Sequence, residues 1–386
     1  MNIPIRILSL GLELIGEVDT YTSLVFSQSW HGIGEISITI NRYMQFAEEL
    51  QMDRILMIGN DPNKAYVIKY REISLDQTGK ASENWIIKGL ELKCIMQDKL
   101  LIPVAGQNQF RTTGTASQIM NYYVTNTLIT PTNGDTDRAI NQLDLPNFTY
   151  PGDTIIDTAR LNVLAEKLTS LSVFSGLGWT VILDLPRKKW IFKPLNGVDR
   201  RASQNVNSRV IFSPDYNSLQ TLQYNQNDLN HKNFAYVAGQ GEGKDRQIIQ
   251  VNNGAGTGYF RKEILIDARD IANTDENDIP IPPEQVIKAL TDRGLEKLSE
   301  HKQETYLDGN VLAISPFKLG KDYNLGDIVT VQNLGWGVTL DARITKIEQA
   351  YENNSHRIDI TFDNQKPTLV SLMKREFNNV NVEVRR

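Results

Sequence analysis

The chain has 386 residues, 40% of them hydrophobic and 23% charged, the balance of a globular protein of about two to four domains. A formal net charge of −5 argues against general affinity for nucleic acid or acidic membranes, which a cationic surface would be needed to hold. The single cysteine, Cys94, excludes an intrachain disulfide and a thiolate metal cluster, and fits synthesis in a reducing compartment.

The N-terminal stretch "MNIPIRILSLGLELIGEVD" carries Pro4 and Glu13 and no small-residue cleavage site, so it does not read as a signal peptide. Residues 3–100 read mostly as strands. "LVFSQSW" and "EISITIN" alternate apolar and polar residues with period two, as half-buried strands do. "RYMQFAEEL" (42–50) reads as a helical interlude. "DRILMIG" runs into the turn "NDPNK", where Pro62 and Asn63 supply turn chemistry, and "AYVIKYREISL" and "NWIIKGLEL" complete a meander. Cys94, among apolar neighbours in "KGLELKCIMQ", is expected in the core.

From about 104 to 200 helices alternate with strands. Thr115 and Gln118 have the spacing of a capping box ahead of Ile119, Met120 and Tyr123. "ARLNVLAEKLTSL" predicts a second helix with Leu161, Leu164, Ala165, Leu168 and Leu171 on one face. The strands "WTVILD" and "KWIFKP" follow. The longest apolar stretch, "LSVFSGLGWTVILDL" (171–185), is too short to span a bilayer, so a soluble protein is expected.

Residues 208–262 return to strands: "RVIFS", "SLQTLQYNQ", "NFAYVAG", "RQIIQV" and "YFRKEILI". A polar, proline-bearing link (270–283) leads to a helix from about Glu284, with Ile287, Leu290, Leu295 and Leu298 on its buried face. A second meander runs to Phe362. In its hairpin, "YNLGDIVTVQNLGWGVTLDARITKIE", two alternating segments flank a Gly-Trp-Gly turn. The two meanders share an element order, and Asp53 to Trp85 and Asp327 to Arg357 both span about 30 residues, which reads as a duplicated β-module.

Motifs that carry chemistry are scarce. "VAGQGEGKD" (237–245) has Ala238 where a phosphate-binding loop needs glycine and Asp245 where it needs Ser or Thr, so it reads as a glycine-rich hairpin loop. "NNGAGTGYF" (252–260) reads as a loop between strands. His31, His231, His301 and His356 lack metal spacing, and His301 suits a helix end. "DARDI" (267–271) reads as strand-end packing or a domain-facing ion pair, and "TDENDIP" (274–280), without the glycine and terminal glutamate of a calcium loop, as an acidic link. Trp30, Trp85, Trp179, Trp190 and Trp336 would form a sugar platform only by converging in space. Core burial is expected for Trp85, Trp179 and Trp190, while Trp336 stands at a turn tip. No catalytic, cofactor-binding or metal-binding residue is expected, and no cofactor.

Taken together, "NWIIKGLELKCIMQDKLLIPVAG", "GLGWTVILDLPRKKWIFKPLNGVDR", "VIFSPDYNSLQTLQYNQNDLNHKNFAYVAGQGEG" and "DYNLGDIVTV" resemble the Gp37-like tail proteins of siphoviruses, in order, from about residue 20 to 365. The resemblance implies a structural hub in the tail tip or baseplate of a long-tailed phage or prophage-derived particle. It implies two related β-barrels per chain and a homotrimer whose ring continues the tail tube. Partners would be the distal tail protein and other tail-tip proteins, with DNA only passing through the channel and no membrane insertion. The location would be the virion, after synthesis in the host cytoplasm.

The expected fold is therefore α+β and β-rich, with two related β-barrel or tube-like modules, an α+β insertion and a helical segment. Its expected divisions are 1–103 for the first barrel module and 104–205 for the insertion. Residues 206–268 with 305–365 would form the second barrel module, 269–304 the link and helix, and 366–386 a C-terminal tail. In the second module Leu325 and Ile328 would anchor the hairpin, Gly326 would allow its bend and Asp327 would cap exposed backbone donors. The alternatives are a tail-associated cell-wall-degrading enzyme, against which "LVSLMKREFNNVNVEVRR" leaves no room for a further domain, and a carbohydrate-binding host-adhesion protein.

Overall fold

A computed structural model describes the chain except for Met1 and residues 76–78, 80–81, 105, 147, 276–278, 313–314, 353–354 and 364–386. The expected C-terminal tail, 366–386, and part of "TDENDIP" thus lie outside the described residues. The first part holds β1 (Ile5–Leu8), β2 (Leu14–Val18), β3 (Ser23–Ser29), β4 (Glu35–Asn41), β5 (Ile55–Ile58), β6 (Ala65–Glu72) and β7 (Asn84–Glu91). The middle holds β8 (Phe110–Gly114), α1 (Ala116–Val124), β9 (Leu143–Asp144), β10 (Ile155–Ala159), α2 (Leu164–Ser175), β11 (Gly178–Asp184) and β12 (Lys189–Leu195). The last part begins with β13 (Ile211–Phe212), β14 (Leu219–Asn227), β15 (Phe234–Ala238), β16 (Ile248–Asn252) and β17 (Glu263–Asp267). It continues with α3 (Pro283–Ser299), β18 (Glu304–Val311), β19 (Ile328–Asn333), β20 (Val338–Glu352) and β21 (Ser355–Asp363).

The alternating segments become strands with the expected faces. In β4, Ile36, Ile38 and Ile40 are buried, with the less buried Ser37 and Thr39 between them. In β5 all four residues are buried, because Ile55 and Met57 enter one apolar core while Leu56 and Ile58 enter another on the opposite face. The first of these cores is shared with α1, α2, β11 and β12, so the insertion packs directly on the back of the first meander. Cys94 lies in it, and burial pushes its thiol up to about 11.

The expected pair of closed barrels is corrected. Among the described residues a single 13-stranded sheet runs β14-β18-β21-β20-β3-β4-β7-β6-β5-β1-β2, with β19 and β13 branching from β20. The reason lies in β20. Its first half pairs with β19, and its second half is flanked by β21 on one side and β3 on the other, from Lys346 opposite Ser29 to Glu352 opposite Ser23. The edge that would have closed the second module on itself is therefore used to join the first. The strands of 206–268 divide between two sheets, since β14 enters the large sheet while β15, β16 and β17 form a separate one under α3.

Smaller differences have local causes. Within 42–50 only a 3-10 turn forms, Ala47–Glu49, because Phe46 takes a left-handed φ of 61° that breaks a helix. Leu161 also has a positive φ, 56°, so α2 starts at Leu164 and Leu161 remains exposed. In α3 the buried stripe is Val286, Ala289, Leu290 and Leu298, which turns Ile287 outward. The Thr115–Gln118 capping box forms as its spacing predicts. No helix among the described residues is long and apolar enough to cross a membrane.

Candidate functional site

The chain's buried polar groups concentrate where its parts meet. At the end of β3, Trp30 is 2% exposed, and its backbone N–H donates to the Thr345 carbonyl of β20 at 2.8 Å. Its indole Nε1–H donates to the carbonyl of Gly176, just past α2, at 3.0 Å. The Arg343 guanidinium lies over the ring at 5.6 Å and donates to the Gly326 carbonyl at 2.6 Å. Gly326 has φ +89°, and a Cβ there would fall 2.1 Å from the ring, so the position requires glycine on both counts. One tryptophan thus touches the first meander, the insertion and the C-terminal hairpin.

Beside it, Asp327 is 2% exposed and caps backbone donors as its place in the Leu-Gly-Asp step predicts. Its carboxylate accepts from Asn324 N at 3.0 Å, from Val198 N at 2.9 Å and from Arg200 Nε at 2.8 Å. Leu325 packs against the C-terminal core. The cap therefore also ties the hairpin to the strand-like segment that leaves the insertion.

His31 and Lys93 hold the same corner from below. The His31 carbonyl accepts from Trp179 Nε1 at 2.8 Å and from Thr169 Oγ1 at 3.0 Å. Its Nδ1 lies 2.7 Å from Ser172 Oγ, and because that hydroxyl donates to the Leu177 carbonyl, Nδ1 is assigned as the donor to it. Burial, then the charges of Arg343 and Lys93, lower the His31 pKa to about 3. Lys93, 1% exposed, donates to the Ser29 carbonyl at 2.5 Å and the Trp179 carbonyl at 3.1 Å, with Glu91 at 3.4 Å. Burial lowers Lys93 and raises Glu91, each opposed by the other's charge.

A second ionic knot fixes the insertion to α3. Lys167 of α2 donates to Asp157 of β10 at 2.7 Å and to Glu296 of α3 at 2.8 Å. Tyr123 donates to Asp157 at 2.6 Å, and Asp292 accepts from Ile156 N at 2.7 Å. Burial drives the Glu296 carboxyl up, but Lys167 and Arg293 outweigh it and hold it at about 2. For Asp157 burial wins over Lys167 and the net direction is up. Such a network stabilises little by itself, yet losing one partner strands a buried charge. It specifies how the parts dock.

In these clusters the charges face each other, and among the described residues no group of three or more His, Cys, Asp or Glu is placed to hold a metal ion. A groove of about 550 Å³ crosses the sheet face at the β3–β20 seam, where Lys69, Lys88 and Lys346 alternate with Glu35 and Glu348. In "DARDI", Asp267 pairs with Arg246 and Arg269 while Asp270 pairs with Arg293, the ion-pair role expected of them. "VAGQGEGKD" forms the connection between β15 and β16, with Gly241 and Gly243 at positive φ. The tryptophans form no exposed platform: Trp30, Trp179 and Trp190 are buried, Trp85 stacks under Arg71 and Trp336 stands 53% exposed at its hairpin tip.

The junction residues Trp30, His31, Lys93 and Lys167 were not singled out by motif. One signal was present for Lys167, which sits three residues after Leu164 and four before Leu171, on the apolar stripe of its helix. A lysine there needs a buried partner.

Comparisons with known proteins give a family and a likeness of fold. The sequence matches the family described as Siphovirus ReqiPepy6 Gp37-like protein over residues 4–362. Comparison with curated proteins gives no match. Among solved structures, the chain resembles the 43 kDa tail protein of prophage MuSo2 from Shewanella oneidensis, with TM-score 0.56 and 12% identity over 94% of this chain and 98% of that one. It resembles a tail protein from Neisseria meningitidis with TM-score 0.55 and 11% identity over 95% and 97%. It also resembles prophage tail protein gp18 from Listeria monocytogenes, with TM-score 0.52 and 13% identity over 99% and 100%. At these identities the likeness is one of fold.

Proposed function

The chain belongs to the Siphovirus ReqiPepy6 Gp37-like family, and from that premise we propose that it is a structural hub of a phage or prophage-particle tail, assembling as a homotrimer at the tail tip or baseplate. The observation that carries this reading is the β3–β20 seam, which makes the two meanders one continuous sheet that, among the described residues, ends in an edge strand on each side. A sheet of that length that does not close on itself presents its edges to other chains. Three copies would bring six meanders around a central opening and continue the tail tube.

The rest of the molecule suits that role. Trp30, Asp327 and Lys167 lock the parts of the chain together, as a rigid ring element requires, and the mixed charges of the seam groove give passing DNA no continuous cationic track. Residues 1–103 and 305–365 would supply the ring, and 104–205 would face the distal tail protein and other tail-tip proteins. The chain acts as a scaffold and not as an enzyme. Incubation of the purified chain with host peptidoglycan tests this directly: no soluble fragments are expected, and sustained release above a heat-treated control would overturn the structural reading.

A further inference from the structure

The connection from β16 to β17, "NNGAGTGYF" (252–260), carries no charge, and every residue in it is exposed except the half-buried Ala255. At its end Tyr259 is 87% and Phe260 70% exposed, with the two rings edge to face at 5.6 Å. Large apolar side chains held in water mark a contact surface. The tip is nevertheless firmly built. Asn233, buried just before β15, grips both ends of the connection. Its backbone carbonyl accepts from Asn253 N at 2.9 Å, its side-chain amide donates to the Phe260 carbonyl at 2.9 Å, and its Oδ1 accepts from Lys262 N at 2.8 Å. Asn252 Oδ1 accepts from Ala255 N at 2.8 Å. Arg261, the next residue, lays its guanidinium over Phe234 at 3.5 Å and donates to the Tyr236 hydroxyl at 2.8 Å. The two rings are thus presented by a preorganised backbone, which lowers the ordering cost of binding.

Charge and shape point to what the tip meets. The cations that follow it are already paired, Arg261 with Glu263 at 2.6 Å and Lys262 with Asp228, so they exert little pull on an anionic partner. The formal charge of −5 acts in the same direction. A run of nine uncharged residues can enter a lipid interface without stripping water from an ion. Tyrosine and phenylalanine suit its two depths, the hydroxyl among the headgroups and the plain ring at the acyl boundary. A tip exposed along its length enters a surface that yields around it, as lipid does, rather than enclosing a peptide or a sugar.

We propose that Tyr259 and Phe260 form a lipid-contacting tip that enters the interface of a bilayer without spanning it. This goes beyond the hub reading and does not rest on it. Flotation of the full chain with phosphatidylcholine vesicles, and with vesicles containing added phosphatidylglycerol, tests it at low and high salt. The comparison is the double variant Tyr259→Ser/Phe260→Ser, with the mass and urea midpoint of both proteins measured alongside. The full chain is expected to float with either vesicle at either salt concentration. The double variant, with unchanged mass and midpoint, is expected to partition at least about tenfold more weakly, while Phe260→Trp keeps the binding. No flotation of the full chain, or equal flotation of the double variant, overturns the proposal. Flotation that needs phosphatidylglycerol and disappears at high salt also overturns it, because charges and not the rings would then hold the vesicle. A double variant of lower mass than the full chain overturns it as well, and assigns the rings to a contact between copies.

Discussion

The indole of Trp30 and the α-carbon of Gly326 are in such close contact that a Cβ on the glycine would lie 2.1 Å from the ring. This contact seats the C-terminal hairpin on the end of β3, at the place where the two meanders become one sheet. Gly326→Ala combines a left-handed φ with an overpacked site. A loss of about 3 kcal/mol is expected, read as a lower urea midpoint at unchanged slope. A midpoint equal to wild type would show that the junction is looser than the contact implies.

His31 makes stability depend on pH. Folded His31 titrates at about 3 against an ordinary 6.5, so below pH 6.5 the unfolded chain takes up a proton that the folded chain refuses. Its contribution is complete above pH 6.5 and is lost as pH falls toward 3. Between pH 7 and pH 5 the loss is about 2 kcal/mol. His31→Gln should flatten the stability profile over that window by the same amount, with His356, also lowered by burial, contributing equally to both proteins. Parallel profiles for variant and wild type would contradict the assignment.

Lys167→Met leaves Asp157 and Glu296 facing each other without their shared cation. A destabilisation of about 3–5 kcal/mol at neutral pH is expected, shrinking as the pH is lowered and the carboxylates take up protons. Chemical denaturation at pH 7 and pH 5 checks both the size and the trend. A loss that is equal at the two pH values would mean that packing, not charge, is what Lys167 supplies.

Trp336 offers the opposite case. It stands 53% exposed at the tip of its hairpin. Trp336→Ser is expected to change stability by no more than about 0.5 kcal/mol. A larger loss in thermal unfolding would mean that the ring supports the sheet beneath it.

Much of this arrangement could be read before the structure. The alternation of Ile36, Ile38 and Ile40, the Thr115–Gln118 box and the Leu325-Gly326-Asp327 step are local patterns whose geometry follows from neighbouring residues. Pairing between edges is different. Period two says which face of β20 is buried but is silent on whether its free edge meets β19 or β3, and so two closed barrels were expected where one open sheet formed. Leu161 and Phe46 fit helical spacing, and only their left-handed backbones keep them out of a helix. Trp30 gave no signal because its partners, Gly176, Gly326 and Arg343, lie more than a hundred residues away in the sequence.

The most direct test of the hub reading is negative-stain imaging of the purified full chain at increasing concentration, sorted for end-on views. The account predicts three-fold rings with a central opening. Uniform single-copy particles at every concentration, with no ring class, would contradict it.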